Sequence, residues 1–170
     1  MASTLQIGHV GSPIGHLLVA TLGDAVCTIA FEGSDADTQR YLERRFGECD
    51  RAQGAVPQRV RDALARYFAG DMTAFDGLES GARGTVFQEQ VWAALRTIPA
   101  GQTRSYADMA EQIGRPTATR AVGLANGQNP VSIMVPCHRV IGRDGSLTGF
   151  GGGLERKAWL LRHEGALLDL

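Results

Sequence analysis

The 170 residues predict an α/β protein in two parts: a small N-terminal lobe over residues 1–80, with a three-stranded antiparallel sheet and helices, then a mainly helical C-terminal domain over residues 84–170. Three observations carry that reading. Short β-branched runs separated by turn residues crowd the first 31 positions, helical spacing takes over from residue 35, and the polar, glycine-rich stretch 77–84 has no apolar period of its own. An apolar content of 44% against 21% charged residues fills one core or two small lobes and argues against disorder.

Residues 5–10, 16–21 and 25–31 read as strands, bounded by Gly11-Ser12-Pro13-Ile14-Gly15 and by Leu22-Gly23-Asp24. Residues 35–46 and 56–68 carry helical spacing, the second with Pro57 near its start and Gly70 beyond its end, and both are expected on one face of the sheet. The second part opens with Thr85-x-x-Gln88, a capping-box pattern ahead of an apolar stripe of Val86, Val91 and Leu95. Residues 105–113 and 117–126 form two short helices interrupted by Gly114-Arg115-Pro116, a helix-turn-helix by spacing. The second is rich in small residues, Ala118, Ala121, Gly123 and Ala125. Such a helix either packs closely in a core or is slim enough to enter a narrow groove.

A net charge of −1 hides an asymmetry. Residues 1–83 hold 8 basic and 11 acidic side chains, residues 84–170 hold 9 and 7, and between residues 96 and 143 six arginines face only Asp108 and Glu111. A polyanion is therefore expected on the C-terminal half. Arginine alone is a weak pointer here, since 16 of the 17 basic residues are Arg. No basic-then-apolar leader and no window of membrane-spanning length occurs, which predicts a cytoplasmic protein without a membrane partner. Cys27, Cys49 and Cys137 are odd in number and lack C-x-x-C spacing, so neither a disulfide framework nor a metal site is expected. Cys27 reads as a packed strand residue and Cys49 as a surface or loop thiol.

Chemistry concentrates in Val135-Pro136-Cys137-His138-Arg139-Val140, where a thiol and an imidazole adjoin at the end of an apolar, strand-like run. The thiolate is the nucleophilic form, so the site has to favour deprotonation. Neighbours on a strand point to opposite faces, so His138 reaches the sulfur only through a turn after Cys137 or through a bridging water. Further on, residues 149–153 hold four glycines in five positions but lack the Gly-Lys-Ser/Thr ending of a phosphate loop. Glycines there let backbone approach a flat ligand.

Several separated stretches occur in one order: Ser12-Pro13-Ile14-Gly15, Phe87-Gln88-x-x-Val91-Trp92, Ile98-Pro99-x-Gly101-x-Thr103-x-Ser105-Tyr106, Arg120-Ala121-Val122-Gly123, Asn129-Pro130, Pro136-Cys137-His138-Arg139, Ile141-Gly142, Thr148-Gly149-Phe150-Gly151-Gly152-Gly153 and Trp159-Leu160-Leu161-Arg162-His163-Glu164-Gly165. Together they resemble the O6-alkylguanine-DNA alkyltransferases over most of the chain. The resemblance implies a ribonuclease H-like N-terminal lobe and a cofactor-free monomer that repairs DNA by direct reversal. The alkyl group of O6-alkylguanine in double-stranded DNA, and that of O4-alkylthymine, would pass irreversibly to Cys137.

By the same resemblance, Glu164 orients His138, which acts through water on Cys137, and Tyr106 meets the flipped guanine. Arg120 fills the space the base leaves, on a helix that enters the minor groove with Thr117, Ala121 and Gly123, and Asn129 braces the turn. Met134, Pro136, Val140, Phe150, Gly151 and Gly152 would line the pocket, with Phe150 standing where a tyrosine is often found. A non-catalytic lesion-binding module is the alternative, disfavoured by the presence of Cys137. A cysteine hydrolase would need an oxyanion hole and turnover, and has no use for a helix-turn-helix.

Overall fold

The computed structural model describes residues 3–167. It divides into two compact units, Met1–Arg83 and Gly84–Leu170. In the first, β1 (Thr4–Val10), β2 (Leu17–Leu22) and β3 (Ala25–Phe31) form an antiparallel meander, followed by α1 (Asp35–Phe46), β4 (Asp50–Gln53), α2 (Gln58–Phe68) and β5 (Glu79–Ser80). Gly23 takes a positive φ of 59° in the tight β2–β3 turn, a conformation that suits glycine.

The sheet is larger than the expected three antiparallel strands. It has five, in the order β4-β1-β2-β3-β5, and is mixed, because β4 pairs parallel to β1 and β5 parallel to β3. Both additions are edge strands without apolar alternation: Asp50-Arg51-Ala52-Gln53 is exposed throughout and β5 is two residues long. Backbone pairing alone creates them, and it leaves no mark in side-chain pattern.

The central strand is buried on both sides. Leu42 and Phe46 of α1 pack with Leu5, Ile7, Leu18, Ala20 and Cys27, while Leu17 and Val19, which point to the opposite side of β2, are just as buried. Both faces of the central strand are therefore covered. Cys27 is a core residue, and Cys49 packs at the edge of the same cluster.

The second unit comprises α3 (Val86–Leu95), β6 (Arg104–Ser105), α4 (Tyr106–Gln112), α5 (Thr119–Gly127), a 3-10 turn (Cys137–Arg139), β7 (Val140–Ile141) and α6 (Leu154–His163), with β6 and β7 paired in parallel. Thr85 and Gln88 form the reciprocal capping box at the start of α3, and Ser105 with Asp108 forms another at α4. Val86 is 78% exposed and not part of the buried stripe, which runs through Val91, Trp92, Ala94 and Leu95. Five residues at 100° each put Val86 about 140° away from Val91.

The helix-turn-helix pair is α4 and α5, with Gly114 at a φ of 76° in the turn between them. The indole N–H of Trp92 donates to the Ala125 carbonyl at 2.9 Å, tying α5 to α3. The apolar run ahead of Cys137 is a buried succession of turns instead of a strand, and Ile133 there has a φ of 74°. Among the described residues no helix is long and apolar enough to cross a membrane.

Candidate active site

The 3-10 turn at Cys137 removes the difficulty that a strand would have posed. It carries both neighbours inward, leaving Cys137 5% and His138 0% exposed. Buried backbone around the turn needs partners, and two asparagines supply them. Asn129 Nδ2 donates to the Val135 carbonyl at 2.7 Å while its Oδ1 accepts from the Val131 N–H at 3.0 Å. Asn126 Nδ2 donates to the carbonyl of Cys137 itself at 3.3 Å.

His138 Nε2 lies 2.9 Å from Glu164 Oε2, with both side chains fully buried. Arg139 donates Nε to Glu164 Oε1 at 2.8 Å and Nη2 to Oε2 at 2.9 Å, and its Nη1 reaches the Ile98 carbonyl at 2.6 Å. Burial works against the charged carboxylate, yet the donors on Arg139 and His138 prevail and hold Glu164 well below the ordinary carboxylate range. Burial keeps the imidazole neutral by lowering the pKa of His138, with the Glu164 contact opposing it. A neutral ring facing a carboxylate carries its proton on Nε2, so Nδ1 is the basic nitrogen. Nδ1 is buried and has no hydrogen-bond partner among the described residues.

The thiol is not pre-ionised. Burial pushes the Cys137 pKa up, and the Asn129 side chain and the charge of Lys157 only partly offset it. Sequence reasoning asked for a lowered value, but full enclosure of the sulfur outweighs its polar neighbours. A base that takes the proton during the reaction would meet the need equally well, and the unpartnered Nδ1 of the adjacent His138 is a candidate for it.

Lys157 escaped the sequence reading. It is the sole lysine of the chain, fully buried, and its Nζ donates to the carbonyls of Val140 at 2.7 Å and Thr148 at 2.9 Å. Burial lowers its pKa to about 8, with the Cys137 sulfur acting in the opposite sense. One lysine kept among sixteen arginines was the available signal. Arg139, Asn126 and Thr148 were missed as well, because their partners lie 25, 11 and 42 residues away.

The other expected residues fall into two groups. Tyr106, at the first turn of α4, sits with its hydroxyl 2.8 Å from Thr148 Oγ1, and Gly123 of α5 faces its ring. Arg120 and Ala121 are exposed on α5 and Thr117 is exposed just before it. Met134, Pro136 and Val140 are buried around the cysteine turn, while Phe150 and Gly152 are half-buried and Gly151 is exposed. No group of three His, Cys, Asp or Glu side chains among the described residues is arranged to hold a metal ion.

Known proteins are similar to this chain in sequence and in fold. Residues 86–166 fit the family model described as 6-O-methylguanine DNA methyltransferase, DNA binding domain. The methylated-DNA--protein-cysteine methyltransferase of Salmonella typhimurium is 47% identical over 94% of this chain and 95% of its own length. That of Mycolicibacterium paratuberculosis is 49% identical over 98% of both. The crystal structure of Mycobacterium tuberculosis OGT in complex with DNA is similar with a TM-score of 0.80 at 45% identity, covering 95% of this chain and 93% of that one. Agreement at nearly half of all positions along almost the entire length shows that the chain belongs to the methylated-DNA--protein-cysteine methyltransferase family.

Proposed function

We propose that this enzyme repairs double-stranded DNA by moving the alkyl group of O6-alkylguanine, and of O4-alkylthymine, onto Cys137 in a single irreversible turnover. The observation that carries the reading is the buried Glu164–His138 pair, which holds Nε2 and leaves Nδ1 without a partner on the residue that follows Cys137. Through a water, Nδ1 takes the thiol proton as the sulfur attacks the alkyl carbon in line with the C–O6 bond. The new bond is C–S and the broken one C–O6, whose electron pair stays on the guanine. Tyr106 protonates the departing base and recovers a proton through solvent, so one proton passes overall from thiol to guanine. A thioether has no easy route back to thiolate, and the protein is spent.

The target atom lies inside the duplex, so the nucleotide has to be rotated out at a cost of about a few kcal/mol. In this reading α5 enters the minor groove and Arg120, exposed in its first turn, fills the vacated place in the stack, with Thr117, Ala121 and Gly123 beside it. The DNA complex of the mycobacterial relative supports DNA as the partner, and in this reading a single chain acts as a monomer on the duplex. In this reading Phe150, Gly151 and Gly152, together with Met134, Pro136 and Val140, line the base pocket.

Intact-mass measurement after incubation with an oligonucleotide bearing O6-methylguanine tests the proposal. One methyl per chain, mapped to the Cys137 peptide and lost in Cys137→Ala, is expected. Unmodified protein bound to the lesion would instead identify a recognition module, and repeated turnover a hydrolase.

A further inference from the structure

Thr148 lies between β7 and α6, outside any helix or strand, yet it is held at both its main chain and its side chain. The buried ammonium of Lys157 grips its carbonyl at 2.9 Å and the Val140 carbonyl at 2.7 Å, so α6 fixes this point of the segment relative to the cysteine turn. Its hydroxyl then meets the Tyr106 hydroxyl at 2.8 Å, while the Tyr106 ring lies against Gly123 of α5. A bare Cβ built at Gly123 would already stand 3.7 Å from that ring, so the tyrosine is bounded on that side as well.

Each hydroxyl has one proton and two acceptor lone pairs. If Tyr106 gives its proton to the departing guanine, as the proposed function requires, the contact survives in one polarity only. Thr148 Oγ1–H has to donate to Tyr106 Oη, which gathers negative charge as its own proton leaves. We infer that Thr148 is a positioning residue for this proton transfer: it keeps its own proton, points the Tyr106 O–H at the base and stabilises the phenolate that forms. Hydrogen bonds to charged acceptors are the strong ones, and here the donor is in place before the reaction starts.

The test compares Thr148→Val, which keeps the branched shape without the hydroxyl, with Thr148→Ser, which restores it. Single-turnover methyl transfer from an O6-methylguanine duplex should slow about 10- to 100-fold in the valine variant and return most of the way in the serine variant. Methylation of Cys137 by iodomethane, read on the tryptic peptide, should be the same in all three, because iodide leaves without a proton. Thr148→Ala carries the same comparison if valine does not fit the site. An unslowed valine variant overturns the inference, and so does equal slowing with both methyl donors, which would show that the contact serves the thiol or the shape of the site. Wild-type protein that fails to take methyl from the duplex at all would sink the proposed function; normal wild-type transfer with an unslowed variant sinks only the role of Thr148.

Discussion

Replacing Glu164 by glutamine removes one negative charge at almost constant volume, and the surroundings make that loss expensive. The carboxylate is fully buried and accepts three N–H groups, one from His138 and two from Arg139, whose own side chain is only 11% exposed. An amide oxygen can take only one of the two oxygen positions, and because Arg139 donates to both, the NH2 faces a guanidinium N–H in either orientation. Breaking a buried pair from one side costs about 3–5 kcal/mol. The Ile98 carbonyl still accepts from Arg139, which favours the lower end, about 3 kcal/mol. At roughly 2–4 °C per kcal/mol for a chain of this size, the melting temperature should fall by about 6–12 °C.

Activity should suffer separately from stability. Without a carboxylate to hold the proton on Nε2, the ring populates the tautomer protonated at Nδ1, and single-turnover alkyl transfer should drop by about 10²–10⁴, the worth of a general base. Rates measured well below the variant's melting temperature isolate this effect. A wild-type rate in a destabilised variant would refute the relay and leave Glu164 a purely structural partner. The pH dependence follows from its depressed pKa. Stability contributed by Glu164 is complete above the unfolded value near 4.5 and is lost as pH falls toward the folded one. The gap in melting temperature between wild type and Glu164→Gln should therefore be constant above about pH 5 and narrow below it.

Arg120→Ala should slow transfer from duplex DNA by about tenfold or more while sparing transfer from a free O6-alkylguanine base, which needs no flipping; equal losses on both substrates would make Arg120 a fold residue. Lys157→Met should destabilise by about 1–3 kcal/mol, since two buried carbonyls lose their donor while a buried charge is removed. Burial sets Lys157 near 8 against an ordinary 10.5, so between those values the unfolded chain binds a proton that the folded chain has released. Wild-type stability should accordingly rise relative to Lys157→Met across that range, and a flat difference in melting temperature would show that Lys157 titrates elsewhere.

Where side-chain periodicity and local caps decide structure, the chain is readable without coordinates. The strands around Ile7, Val19 and Ile29, the Thr85 capping box, the α4–α5 pair around Gly114, and the Cys137-His138 dipeptide all follow from residues within a few positions of one another. What local pattern cannot carry is pairing by backbone alone, which added β4 and β5 to the sheet, or the burial of a run such as residues 131–136 from every side, which made turns of an apparent strand.

The chemical state of the site belongs to the same category. Cys137 adjoins His138 by sequence, but its raised pKa comes from enclosure, and the basic nitrogen of His138 is chosen by Glu164, 26 residues away. The Tyr106–Thr148 contact spans 42 residues, and Lys157 reaches back 17 to Val140. Sequence alone determined which reactive groups this protein has and which elements carry them. Only tertiary structure decided their protonation, because desolvation and hydrogen bonding act between groups that folding, not chain order, brings together.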